Sequence, residues 1–206
     1  MIAHDVRRTN DAIDRLLAVT TNPRHRFLLQ AFYRHRFLEI AGRYEEIFAP
    51  EMMCDSPVYH FDYAKMNARV VGNDVKGLYA HWGQSNQTIF YAGTEQVAVA
   101  DNYVASVGDI YQQRIGAELA TAGFQVDDPK AYYLYYARGV QQIWPYDDQC
   151  RLVGEDVWEP RAHEATIIKL DPADVLTTLR AAELLAPFIK PLPKFDPATM
   201  GPAGAR

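Results

Sequence analysis

Cysteine is nearly absent: the 206-residue chain carries only Cys54 and Cys150. Two thiols without CxxC spacing support neither a disulfide framework nor a structural zinc site, and they fit a reducing, cytoplasmic setting. Long apolar runs are missing too. No stretch approaches the roughly 20 residues that cross a bilayer, and Met1-Ile2-Ala3-His4-Asp5 lacks the charged-then-apolar pattern of a signal peptide. No basic block breaks a net charge of -5, so neither nucleic acid nor a membrane surface is an expected partner. There is no HExxH, no GxSxG, no phosphate-cradling glycine loop and no dinucleotide fingerprint. The six histidines (His4, His25, His35, His60, His81 and His163) show no metal-ligand spacing. The expectation is a chain with no metal and no cofactor, whose chemistry, if any, is acid/base.

What the chain has is apolar and aromatic mass. Hydrophobic residues make up 49% and aromatics 12%, with thirteen tyrosines. That supports one domain with a sizeable core, assigned to residues 1–190. A Pro-, Gly- and Ala-rich segment, 191–206, reads as a flexible or partner-wrapping tail. Tyrosines cluster at Tyr132-Tyr133-Leu134-Tyr135-Tyr136 and recur along the chain. Some of them serve strands and core; the rest are expected to line a pocket, where a ring face plus a hydroxyl suits an aromatic, oxygenated ligand.

A first helix is expected around Asp11–Leu17. Asn22 caps and Pro23 opens a second, over 24–41, with Leu29, Tyr33, Phe37 and Ile40 forming one buried stripe. Gly42 breaks it, and a short helix follows at 44–49. Residues 57–63 alternate as a strand. Asp74 to Gln84 reads as a helix with Val75, Leu78, Tyr79 and Trp82 inward. Residues 87–100 and 103–108 are strands around Asp101-Asn102, as are 131–146 and 150–158 around Asp147-Asp148-Gln149. Residues 109–123 read either as strand continuation or as an inserted helix ending at Gly123. Pro172 to Ala186 completes the set as an amphipathic helix.

The sharpest local pattern is Tyr59-His60-Phe61-Asp62-Tyr63. On a strand His60 and Asp62 share one face with Ser56, and Tyr59, Phe61 and Tyr63 share the other. A carboxylate two residues from an imidazole would orient it for proton transfer. The alternation leaves open whether that polar face is inner and catalytic or outer and solvated.

The segment from Phe32 through Pro57 (helix, Gly42 break, short helix, strand), followed by Val70-Val71-Gly72-Asn73-Asp74-Val75, resembles the SnoaL-like, nuclear-transport-factor-two-like superfamily. The resemblance implies an α+β fold: a cone-shaped barrel of curved mixed sheet around the N-terminal helices, with a deep apolar pocket. It also implies where chemistry would sit. Ser56 occupies the slot of the ketosteroid-isomerase general base, His35 falls near the helical tyrosine (Tyr33 and Arg34 adjoin it), Gln87 near the dehydrochlorinase histidine, and Gln142 near the protonated aspartate. The isomerase and dehydrochlorinase sets are therefore not reproduced.

The resemblance implies a cofactor-independent lyase on a bulky phenolic diaryl alcohol, losing a benzylic hydroxyl through a quinone methide and then a proton or formaldehyde. Tyr59, His60, Asp62 and His35 are the catalytic candidates. Tyr33, Trp82, Gln87, Tyr91, Tyr103, Gln142 and Trp144 are the substrate-binding ones. A polyketide-type dehydratase or cyclase is an alternative. So is a non-catalytic partner, because Leu38-Glu39-Ile40-Ala41-Gly42-Arg43-Tyr44-Glu45 is similar to the turn of the β-subunits of aromatic-ring-hydroxylating dioxygenases. A small aromatic substrate and a homo-oligomer, dimer or trimer, are the expected partners. Burial polarity separates the classes: an enzyme points ionisable groups into the cone, whereas a structural subunit fills it with apolar ones.

Overall fold

A computed structural model describes residues 4–201. Helix α1 spans Asp11–Val19, α2 Pro23–Ile40 and α3 Tyr44–Ile47. Strands β1 (Met53–Tyr63) and β2 (Met66–Val71) form a hairpin. Helix α4 (Asn73–Gln84) leads to a meander of β3 (Phe90–Val99), β4 (Tyr103–Ile115) and β5 (Tyr132–Pro145), with α5 (Gly116–Thr121) after β4. Strands β6 (Leu152–Trp158) and β7 (Thr166–Lys169) and helices α6 (Thr178–Leu185) and α7 (Pro197–Met200) complete the chain.

The seven strands form one mixed sheet in the order β2-β1-β6-β5-β4-β3, with β7 on β5. Only β1 and β6 run parallel. Their contact is close at Gly154, where a Cβ would sit 1.9 Å from the Val58 carbonyl oxygen. Register shifts between Ala92 and Glu95 on β3 and between Gly108 and Ile110 on β4 bend neighbouring strands at one level. Unpaired residues of this kind increase local twist and curl a sheet. The Asp109 carboxylate fixes the bend, accepting from the Gly139 amide at 3.0 Å and the Tyr136 hydroxyl at 3.3 Å.

Helix α2 lies inside this curl. The Asn22 side chain accepts from the His25 amide, and Pro23 opens the helix. At its end Gly42 (φ +66°) and Arg43 donate back to Glu39 and Leu38, the paired bonds of a glycine-terminated helix. The helix is not one-sided as the stripe predicted. Leu28, Leu29, Phe32, His35, Arg36, Phe37, Leu38 and Ile40 are all buried, and Tyr33 is half-buried. Sheet covers one flank while α1, α6 and the C-terminal segment cover others, so the polar pair His35-Arg36 enters the interior and forms no charged surface patch. Arg34 alone stays outside, bonded to the Lys190 carbonyl and Glu46.

Two strands, β2 and β7, were not expected from sequence, and residues 109–123 divide between strand (to Ile115) and helix (Gly116–Thr121). Within 191–201, Leu192, Phe195 and Met200 pack against the core, with Phe195 edge-on to Phe27. Buried Arg24 donates to the Met200 carbonyl at 2.7 Å and to the carbonyls of Asp101, Asp147 and Asp148.

Candidate active site in the cone

The curl of the sheet and α2 enclose a cavity of about 60 Å³. That is room for roughly four waters and less than the ~150 Å³ that holds a benzene ring, so admitting a ring requires side chains to move. Met66, unbranched and half-buried in the lining, yields most cheaply. Phe61, Tyr79, Trp82, Phe90 and Trp144 supply the aromatic wall.

Four ionisable side chains line this space: Arg36, Glu39, Arg114 and Glu155. Arg36 and Glu39, one turn apart on α2, point the same way. Arg36 is 1% exposed and lies over the rings of Phe32 and Phe90. Its Nη1 reaches both carboxylate oxygens of buried Glu95, at 3.1 and 3.0 Å. Breaking such a buried pair costs about 3–5 kcal/mol. Glu155 projects from β6, and its Oε1 accepts from Gln142 Nε2 at 3.3 Å; the Gln142 amide oxygen in turn accepts from Ser106.

Burial pushes the Glu39 carboxyl up to about 8, against the pull of Arg36. Burial, and then the neighbouring Glu39 charge, holds Glu155 well above the ordinary carboxyl range. Two carboxyls that cannot both ionise cheaply, with environments that push them unequally, form a donor and an acceptor of protons.

Behind this wall runs a chain of hydrogen bonds. The Tyr79 hydroxyl lies 2.8 Å from His35 Nε2 and 3.4 Å from the Tyr59 hydroxyl. The His35 ring stands edge-on to Trp144 at 4.6 Å. Burial, then Arg36, lowers His35 to about 3, so the imidazole is neutral. Burial raises the phenols of Tyr59 and Tyr79 well above their ordinary value.

Of the residues picked out from sequence, Trp82, Gln142 and Trp144 line the cavity, and His35 and Tyr59 stand behind it through Tyr79. His60 and Asp62 do not reach it. Tyr59 and Phe61 take the inner face of β1, because burying two aromatic rings gains far more than burying an imidazole and a carboxylate. His60 is exposed and pairs with its cross-strand neighbour Asp156, Nδ1 to Oδ1 at 2.7 Å, not with Asp62. Ser56 is exposed on that same outer face.

Gln87 is buried but spoken for. Its amide bonds Ser85, Glu118, Arg114 and the Ile115 backbone, tying α4 to the end of β4. Tyr91 packs against the His4 ring beside a separate cleft, Tyr33 lines an outer groove with Pro187 and Phe188, and Tyr103 is exposed.

Sequence reasoning passed over Arg36, Glu39, Tyr63 and Gln112. The available signal was charge inside an otherwise apolar stripe: Phe32, Arg36 and Glu39 share one face of α2. Among the described residues no three His, Cys, Asp or Glu side chains group as metal ligands.

The order of elements and the curved mixed sheet are those of the SnoaL-like, nuclear-transport-factor-two-like fold. No protein-family profile matches the chain, and no curated protein matches it. Solved structures do. An NTF2-like protein of unknown function from Cytophaga hutchinsonii is 12% identical over 62% of this chain and 95% of its own, with a TM-score of 0.39. A proposed SnoaL-like polyketide cyclase from Shewanella putrefaciens is 9% identical over 71% and 86%, at 0.47. A phenazine biosynthesis-related protein from Pseudomonas aeruginosa is 14% identical over 95% and 90%, at 0.36.

Proposed function

We propose that the chain is a cytoplasmic, cofactor-free lyase that removes a benzylic hydroxyl from a phenolic aromatic alcohol inside the cone. The observation that carries this reading is the pair of carboxyls, Glu39 and Glu155, held above their ordinary range within an aromatic cavity. Glu155, held by Gln142, is the acid. It protonates the leaving hydroxyl, the C–O bond breaks to release water, and the phenol's electrons carry the charge as a quinone methide. Glu39 is the base. It takes the proton from the adjacent carbon, and the ring regains aromaticity as the new C=C bond forms. The net reaction is alcohol to alkene plus water. Breaking a C–CH2OH bond in the second step would release formaldehyde instead. Tyr79, backed by His35 and Tyr59, positions the substrate's oxygens.

Ionisable groups in the cone favour an enzyme over an apolar-filled structural subunit. The test is incubation with phenolic benzylic alcohols, including diaryl-propanediols, following styrene- or stilbene-like absorbance and formaldehyde. Glu155→Gln is expected to lower kcat by at least about 100-fold, and His60→Ala to leave it unchanged. Equal rates for Glu155→Gln and the native chain would sink the assignment.

A homodimer through the outer sheet face belongs to the same proposal. Val107, Ile143 and Trp158 are exposed there on adjacent strands, around Gln141. Sedimentation should give a dimer for the native chain and a monomer for Trp158→Glu; a native monomer would remove this part of the reading.

A further inference from the structure

Four polar atoms in the cone have no hydrogen-bond partner although they are shut away from solvent: Arg36 Nη2, Tyr63 Oη, Gln112 Oε1 and Trp144 Nε1. All four residues line the one cavity. Leaving a buried polar group unpaired is costly, and four such groups on the residues lining one cavity are what a ligand would satisfy. Their chemistry is lopsided. Arg36 Nη2 and Trp144 Nε1 donate only, Tyr63 can donate, and Gln112 Oε1 alone must accept. The Arg36 guanidinium and the Trp144 ring each pack on Phe32, at 5.2 and 4.7 Å. Each lining cation has its counter-charge behind it: Glu95 holds Arg36 through Nη1 and Glu118 holds Arg114. Neither Glu95 nor Glu118 lines the cavity, and the ion pair leaves Arg36 Nη2 without a partner.

A hydroxyl can accept from both donors, but a carboxylate offers two oxygens and makes the stronger, charge-assisted hydrogen bond to Arg36. We infer that the substrate of the cone carries a carboxylate, bound by Arg36 Nη2 and Trp144 Nε1. This rests on the proposal that the cone is the substrate site, and it adds a specificity element independent of the reacting carboxyls. The narrow free volume fits it: the two-oxygen end enters fully, while the ring it bears occupies space opened at Met66 and Trp82.

The experiment uses phenylacetate and its neutral isostere phenylacetamide with the intact chain. Titration is followed by calorimetry and by the indole N–H resonance of Trp144, assigned through Trp144→Phe. Phenylacetate is expected to bind at least about 10-fold more tightly than the amide, the value of a hydrogen bond to a charged group, and to move the Trp144 resonance downfield. Trp144→Phe should lower the affinity for the acid about 10-fold. In Arg36→Met/Glu95→Leu, which removes the buried pair together and so leaves no lone charge, the acid and the amide should bind equally.

Equal binding of acid and amide to the native chain, no binding of either, or an unmoved Trp144 resonance would each overturn the inference. A double variant that keeps the preference would do so too. Should either variant fail to fold, the native-chain preference and the resonance decide. Glu155→Gln separates the two proposals: it should lose turnover and keep phenylacetate binding. If native turnover is absent but the acid is bound through Trp144, the reaction reading fails and the binding inference stands.

Discussion

Glutamine in place of Glu39 should remove a pH-dependent cost that the native chain carries. The Glu39 carboxyl sits at about 8 in the folded protein, against an ordinary 4.5. Between those values the folded state holds a proton that the unfolded chain releases, so stability falls as pH rises. The slope is about 1.4 kcal/mol per pH unit. From about pH 5 to about pH 8 the native chain should lose on the order of 4 kcal/mol relative to Glu39→Gln, which has nothing to ionise there. Titrations common to both chains cancel in the difference. Urea denaturation of both proteins at half-unit pH steps measures it directly. Near pH 5 the two should be of similar stability, with the variant increasingly ahead toward pH 8. Parallel curves would show that Glu39 is not desolvated. A native chain that gained on the variant as pH rose would show instead that Arg36 stabilises an ionised carboxylate, and the assignment of base and acid would reverse its footing.

Two further outcomes test the scaffold. Gly154→Ala places a methyl group 1.9 Å from the Val58 carbonyl oxygen and should destabilise by about 3 kcal/mol through forced separation of β1 and β6; a midpoint within error of the native chain would contradict that close approach. Arg24→Ala leaves the carbonyls of Asp101, Asp147, Asp148 and Met200 without their donor. It should cost on the order of 3 kcal/mol and expose the segment around Leu192 to limited proteolysis, whereas a resistant segment would mean that Phe195 and Met200 hold it unaided.

The long elements were legible because their signals are local. Asn22-Pro23 announces α2, Gly42 ends it, and the aspartate-rich turns separate the meander strands. Strand β7 was not legible, because its four residues count as a strand only through pairing with Tyr133–Tyr136. The site was half-legible. Trp82, Trp144 and Gln142 follow from periodicity plus the resemblance, and the alternation on β1 correctly divided Tyr59 from His60. Which side faced inward depended on what lay opposite, and that was α4, whose Tyr79 and Trp82 meet Tyr59 and Phe61 edge-on. Arg36 and Glu39 escaped because charge next to charge in Arg34-His35-Arg36 reads as surface until a helix is known to be covered on every flank. Glu155 and Asp156 alternate on β6, and only the parallel pairing with β1, which sets Glu155 beside Tyr59 and Asp156 beside His60, shows which of them faces inward.

The place of β6 also bears on how the cone is made. Strands β3, β4 and β5 follow one another along the chain and can pair as each emerges. The β1–β2 hairpin emerges before all of them, yet its only neighbour in the sheet is β6, whose Gly154 meets Val58. Until that distant segment arrives the hairpin has no partner strand joining it to the rest of the sheet. Contacts this far apart in sequence form late. During synthesis, then, the meander can assemble early while the first hairpin waits, and the cavity with its two carboxyls comes into being only at the last joining step, when Glu155 is carried in beside Tyr59.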